Sequence, residues 1–297
     1  MFNKIVVATD LSPASDTVIE CLMGLRVLGT ERAVLVHALG LKQVKEVMPF
    51  LTELAEPRLA EQKAVLERQG FLTTVAIAAG IPMFEVNRIA AEEGASLIVV
   101  GSHGSSCTAE VLLGGAALAI MHRATLPILV ARLRIKDEQS QQRCEVACRD
   151  FFRNILFATD FSDTAERAFL YVEKFVETGA KKITLLHVQQ KNDLSRYMEH
   201  RLEEFNQIDR ERLEQMRDRL LKSGATDVQI EIPYGSPIKE ILSHASDNEI
   251  SLVVMGSKGR GFLSEVFMGS VSHGVALHSD VPLLMIPARP NLEEGID

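Results

Sequence analysis

The chain repeats itself, and that constrains its fold more than any other feature. NKIVVATDLS at 3–12 returns as RNILFATDFS at 153–162, carrying the acidic residue from Asp10 to Asp160, an offset of 150. VLVHAL around His37 returns as TLLHVQ around His187 at the same offset of 150. AGIPMFEVNRIAAEEGASLIVVGSHG returns as YGSPIKEILSHASDNEISLVVMGSKG, matching Gly80 to Gly235 and Gly101 to Gly256, an offset of 155. Landmarks kept in one order at so long a period mean two whole domains rather than the short units of a solenoid. The domains are assigned to 1–132 and 151–290, with the polar stretch LRIKDEQSQQRCEVACRD as a linker at 133–150.

Within each copy, short apolar runs alternate with amphipathic stretches. KIVVAT, AVLVHA, TTVAIA, SLIVV and PILVA are rich in β-branched residues and lack strict polar alternation, as strands buried on both faces should. SPASDTVIECLMGLRVLG reads as a helix with Ser12 as N-cap and Pro13 in its first turn. DLSRYMEHRLEEFNQIDRERLEQMRDRLLKSG reads as a longer helix whose charges pair three and four residues apart on a solvated face, ended by Gly224. The fold class is therefore α/β: two tandem open doubly wound domains, each with a five-stranded parallel sheet. Such sheets take ligands at the carboxyl ends of their strands, where the strand order reverses. The last apolar strands, LPILVAR and VPLLMIP, would otherwise present unpaired edges. They are the expected seam of a pseudo-dimer about an approximate two-fold axis.

Composition narrows the partners. Forty acidic against 32 basic residues give a formal charge of −8, and with no Trp and three Tyr the chain offers little to a phosphate backbone or a base stack. Nucleic acid is not an expected partner. No apolar run approaches the ~20 residues that cross a bilayer, so a soluble, cytoplasmic protein without membrane contact is expected. Cys21, Cys107, Cys144 and Cys148 form no disulfide framework at this size, which suits a reducing compartment. Cys144 and Cys148 could share a helix face, but no further ligand lies near them in sequence; no metal site is assigned.

The second copy carries a glycine loop, GSKGRGFLSEVFMGS. Gly256 and Gly259 stand three apart, nine residues follow Gly259, and then come Gly269 and Ser270. Glycines there permit positive φ and let backbone N–H groups approach a ligand. SVSHGVALHSD reads as a helix, placing Gly269, Ser270 and Val271 at an N-terminus that suits a polyphosphate. The alternative is a tight strand-to-loop turn with Ser270 as an ordinary N-cap. No Walker-type loop occurs, and the turn after the first strand holds Asp160 rather than glycines, so the dinucleotide fingerprint is missing too.

An A-T-D strand end, a strand ending in L-H-V, V-M-G-S-x-G followed nine residues later by G-S, and a final P-L-L strand together resemble the universal stress protein family. The resemblance covers nearly all of 153–287 and, more weakly, 3–132. It implies an open five-stranded domain of the adenine nucleotide alpha hydrolase-like kind, which in one branch of the family holds ATP or AMP and in another does not. It further implies that Ala158, Thr159 and Asp160 border the adenosine, with Asp160 near the ribose. Val188 would meet adenine through its backbone, and Met255 and Gly256 would line the ribose side. Gly259, Gly269, Ser270 and Val271 would surround the phosphates, with Arg260 and Lys258 available to offset charge and magnesium able to accompany ATP. The first copy offers a weaker site at Asp10, Ala38, Gly101, Gly104, Gly114 and Gly115, where Ser270 has become Gly115 and Arg260 has become Ser105.

The expected function is a nucleotide-binding stress-response or regulatory protein acting through protein partners. Slow ATP hydrolysis, self-phosphorylation, or a scaffold role without ligand are the alternatives, and association of two tandem chains is left open. His187 and His37 read as strand-end residues bonded to local backbone. His273 is the imidazole nearest the phosphate end, a general base or an ordinary half-buried residue.

Overall fold

The computed structural model describes residues 1–40, 47–103, 113–138, 141–146, 150–190, 199–259 and 268–288, with 134–138, 141–146 and 199–205 described as backbone only. The first copy runs β1 (Lys4–Thr9), α1 (Pro13–Glu20), β2 (Arg32–Ala38), α2 (Met48–Arg68), β3 (Leu72–Ala78), α3 (Pro82–Glu92), β4 (Leu97–Gly101), α4 (Gly115–His122) and β5 (Ile128–Ala131). A hairpin of β6 (Leu133–Glu138) and β7 (Gln141–Val146) follows. The second copy runs β8 (Ile155–Ala158), α5 (Asp163–Glu177), β9 (Lys182–Leu186), α6 (Glu199–Ser223), β10 (Asp227–Glu231), α7 (Pro237–Asp247), β11 (Leu252–Gly256), α8 (Ser270–His278) and β12 (Leu283–Ile286).

Each copy is a parallel sheet, ordered β3-β2-β1-β4-β5 and β10-β9-β8-β11-β12, so the α/β reading of the sequence holds. The order reverses between β1 and β4 and again between β8 and β11, which fixes where a ligand crevice opens. The two sheets join into ten strands through antiparallel β5 and β12, with Leu283 opposite Val130, Leu284 opposite Leu129 and Met285 opposite Ile128. At an offset of 155, Leu129 and Leu284 are counterparts, and they face each other across the antiparallel pair. Pairing there satisfies two apolar edges at once. Leu129 and Leu284 join a core under α1, α2, α5 and α6, whereas Ile128, Val130, Leu283 and Met285 join the core on the opposite face.

The seam is not symmetric in chemistry. Arg132, whose counterpart is Pro287, is buried and donates from its guanidinium to the Ala276 carbonyl in α8. Burial pushes its pKa down to about 10, with Asp280 acting in the opposite direction. Beside it, His122 Nε2 of α4 and His273 Nδ1 of α8 lie 3.2 Å apart. Their counterparts at the offset of 155 are Leu277 and Leu118.

Local chemistry starts and ends the helices. Ser12 and Ser162 cap α1 and α5, each accepting from the N–H three residues on. The long first helix expected from SPASDTVIECLMGLRVLG ends instead at Glu20 and continues as a 3-10 helix over Leu22–Leu28. Leu22, Leu25 and Leu28 are spaced by three and all buried, which matches three residues per turn. The connecting stretch, expected as a linker, forms the β6–β7 hairpin, which lies against α1. Cys144 is in the strand β7, not on a helix it could share with Cys148; Cys148 and Cys107 lie outside the described residues.

Candidate functional site

The site begins where β8 ends. Thr159 is buried, its N–H donates to the Leu186 carbonyl, and its own carbonyl accepts from His187 Nδ1 at 2.8 Å. Since a carbonyl only accepts, Nδ1 carries the hydrogen, and His187 is bonded to local backbone as its strand-end position led us to expect. The Thr159 hydroxyl accepts from Phe161 N–H at 3.0 Å, and Asp160 Oδ1 accepts from Ser162 N–H at 3.1 Å. Between these bonds Phe161 is held at φ 57°, a left-handed conformation costing a bulky residue about 1–3 kcal/mol. The first copy does the same, with Leu11 at φ 64°, Leu11 N–H on the Thr9 hydroxyl, and His37 Nδ1 bonded to the Thr9 carbonyl.

The second wall comes from β11 and the loop after it. Gly256 and Gly259 do not use the positive φ that glycine permits; close approach is what demands glycine. A Cβ on Gly256 would lie 2.9 Å from Thr164 Cγ2 and 3.0 Å from its carbonyl carbon, against the first turn of α5. A Cβ on Gly259 would lie 2.5 Å from Asp160 Oδ2, so the glycine loop and the carboxylate are in direct apposition. Gly269 N–H then donates to the Ser257 carbonyl at 2.7 Å, and Gly269 serves as the N-cap of α8 without any side-chain capping bond. The first intrahelical bond runs from His273 N–H to the Gly269 carbonyl. The N–H groups of Ser270, Val271 and Ser272 therefore have no acceptor within the helix, and they stand at the positive end of its dipole.

The two walls enclose a cavity of about 650 Å³. Ala158, Thr159, Asp160, Val188, Met255, Gly256, Gly259, Gly269, Ser270 and Val271 all line it, as does Lys258. Arg260 lies outside the described residues. Val188 has its place through strand alternation: His187 N–H donates to Glu231 and Gln189 N–H to Pro233, both toward β10. The intervening N–H and C=O of Val188 face the other way, over the end of β8. His273 is not among the lining residues, being turned to His122 across the seam, so the half-buried reading replaces the general-base one.

The cavity also takes in residues that sequence reading passed over: Gln189, Asp209, Asn206 and Tyr234. Asp209 Oδ2 lies 3.4 Å from His187 Nε2 and accepts from Gln189 Nε2 at 3.0 Å, while Tyr234 OH donates to Asn206 Oδ1 at 2.6 Å. Asn206 and Asp209 sit in a helix crowded with charge, where one more polar residue gives no signal. Comparison with the first copy was the signal available, since Leu39 stands where Gln189 does.

In the first copy the same frame holds different contents. Asp10 Oδ1 accepts from Ser12 Oγ at 2.5 Å, Ser15 Oγ at 2.7 Å and Ser12 N–H at 3.1 Å. The counterpart of Ser15 is Ala165, which has no hydroxyl, and Ser162 Oγ donates instead to the Lys258 carbonyl at 3.4 Å. Ala38 ends β2, Gly101 ends β4 with a Cβ position 3.0 Å from Val18 Cγ2, and Gly114 caps α4, whose first residue is Gly115. Gly104 lies outside the described residues. Among the described residues no group of three or more His, Cys, Asp or Glu converges as a metal site, and no helix is long and apolar enough to cross a membrane.

A duplicated open parallel sheet, with a cavity between a strand-end carboxylate and a helix N-terminus at the point of strand reversal, defines an α/β protein of the sheet-end ligand-binding class. The sequence model of the Universal stress protein family matches residues 1–132 and again 151–287, and the chain belongs to that family as a tandem member. A universal stress protein of Methanocaldococcus jannaschii is 29% identical over 156 residues, covering 46% of this chain and 96% of its own. Another, from Bacillus subtilis, is 31% identical over 146 residues, covering 46% and 99%. A universal stress protein structure from Archaeoglobus fulgidus matches the fold of the whole chain, with a TM-score of 0.71 at 24% identity, covering 97% of this chain and 99% of its own.

Proposed function

We propose that the cavity of the second domain holds an adenine nucleotide, ATP or AMP, and that the chain is a nucleotide-dependent stress-response or regulatory protein. The observation that carries this reading is the apposition of Asp160 and the uncapped α8 N-terminus across one cavity. Phosphate oxygens would accept from the N–H groups of Ser270, Val271 and Ser272, with Gly269 leaving room for them. Asp160 would accept from ribose hydroxyls, and the Val188 backbone would offer a purine edge one donor and one acceptor. Magnesium, where it accompanies a triphosphate, would supply charge neutralisation at the phosphates. The second domain is the tighter site, because α8 opens with Ser270, whose hydroxyl can donate to a phosphate oxygen, where α4 opens with Gly115.

Mass spectrometry of small molecules released from freshly purified protein, together with titration against ATP and AMP, tests the reading. Recovery of an adenine nucleotide and saturable binding are expected. No binding of either nucleotide at millimolar concentration would defeat it. Incubation with ATP and magnesium, resolved by chromatography, separates binding from turnover.

A further inference from the structure

The ten-stranded sheet ends at β3 on one side and at β10 on the other, and the two edges are chemically unlike. Leu72 pairs with Arg32 and Asp227 with Lys182, and those partners are counterparts at the offset of 150, so β3 corresponds to β10 at an offset of 155. Leu72, Thr74 and Ala76, on one face of β3, therefore stand where β10 carries Asp227, Gln229 and Glu231. Charge at an edge resists pairing with another chain, and two copies of β10 laid antiparallel would gather four carboxylates on one face. β3 has no such guard. From Gln69 to Phe84 the chain carries no charged side chain, and within that stretch Leu72 is 67% exposed and Val75 39%. Helix α2, packed against β3, adds the exposed residues Val47, Phe50 and Leu54. Aligned on the positive-φ glycines that follow both helices, Gly70 and Gly224, α6 has Arg201, Glu204 and Ile208 at those places.

The backbone of β3 fixes how a partner strand would meet it. Leu72 N–H donates to the Glu31 carbonyl and the Ala78 carbonyl accepts from Leu39 N–H, so the even-numbered residues of β3 turn their N–H and C=O groups to β2. Those of Thr73, Val75 and Ile77 point to the side on which the sheet ends. We propose that β3 is an association surface for a second copy of this chain: the two β3 strands pair antiparallel about a two-fold axis at Val75, with Thr73 of each opposite Ile77 of the other. Charge is what selects a second copy as the occupant. Two chains of formal charge −8 repel, and they approach most easily where both surfaces are uncharged. Identical strands laid antiparallel are self-complementary, and the molecule already joins two apolar strands in that sense at β5 and β12.

Sedimentation of the full chain without nucleotide should show a reversible monomer–dimer equilibrium. Val75→Lys should weaken dimerisation roughly tenfold or more, because like charges would face each other across the two-fold and each chain loses an apolar contact. Ile230→Lys, the same change at the counterpart position on β10, should leave it as it was. Val75→Cys reads the register. Residues directly opposite in a hydrogen-bonded antiparallel pair have Cα atoms about 5.5 Å apart, within the span of a disulfide, so mild oxidation should give a covalent dimer beyond the wild-type background. Ile230→Cys should give none. A wild type that stays monomeric at about 100 µM overturns the proposal. So does a dimer that Val75→Lys, with native circular dichroism, leaves as tight as before, or one that Ile230→Lys dissolves in its place. Should Val75→Lys fail to fold, the cross-link decides: no covalent dimer from Val75→Cys, or one from Ile230→Cys instead, overturns the proposal.

Discussion

The turns after β1 and β8 share a backbone and differ in what their carboxylates hold. Both place a residue in the left-handed region after the aspartate, and both tie the preceding threonine to a strand-end histidine. In the first, two serine hydroxyls close on Asp10; in the second, one of those serines is Ala165 and the other, Ser162, reaches toward the glycine loop. Asp160 Oδ2 faces Gly259, and both residues line the cavity. Duplicated domains can thus keep one turn while different side chains surround its carboxylate.

Attacks on the second site should grade by what they remove. Gly269→Val should have the largest effect, at least about a hundredfold weaker nucleotide binding, since it obstructs several charge-assisted bonds each contributing about 1.5–3 kcal/mol. The protein should still fold: the nearest atoms to a Cβ there are 3.5 Å away and the backbone at 269 is extended, so thermal unfolding should shift only slightly. Asp160→Ala should weaken binding by roughly tenfold or somewhat more, leaving the amide cradle in place. Ala165→Ser, which gives Asp160 the hydroxyl that Ser15 gives Asp10, should cost roughly two- to tenfold in affinity, measurable by calorimetric titration. An unchanged affinity in that variant would break the comparison on which the contrast rests.

The seam offers a smaller effect, on stability rather than binding. Burial, and secondly the neighbouring His273, hold the His122 pKa below its ordinary 6.5. The unfolded chain then binds the proton first, so stability is complete above about pH 6.5 and declines as pH falls below it. His122→Gln should flatten that part of a melting-temperature profile. A profile identical to wild type would show that the pair contributes nothing to acid sensitivity.

Much of this was legible in the sequence because the signals were local or repeated. KIVVAT, AVLVHA, SLIVV and PILVA read as continuous β-branched runs because they are largely buried on both faces, whereas TTVAIA, read the same way, is the edge strand β3 with Thr74 and Val75 exposed; the duplication gave the domain count. The seam followed from two apolar terminal strands that needed partners. The glycine loop was singled out by its spacing and Asp160 by its recurrence at the first strand end of both copies, but the close approach of the glycines to Thr164 and to the Asp160 carboxylate is a property of packing that φ preference does not reveal. The 3-10 helix was also hidden, since leucines at a spacing of three fit a helical stripe as readily. Gln189 and Asp209 escaped for a further reason. They lie 20 positions apart, and only the fold brings their side chains together.

The central proposal is that one of two copies with the same strand order holds the nucleotide tightly. The direct measurement is calorimetric titration of ATP and of AMP into the wild type, Gly114→Val and Gly269→Val. The account predicts one tight site per chain, untouched by Gly114→Val and abolished by Gly269→Val, with at most weak residual binding left in the first domain. Loss of the tight site in Gly114→Val with full retention in Gly269→Val would contradict it and move the working site to the other half of the chain.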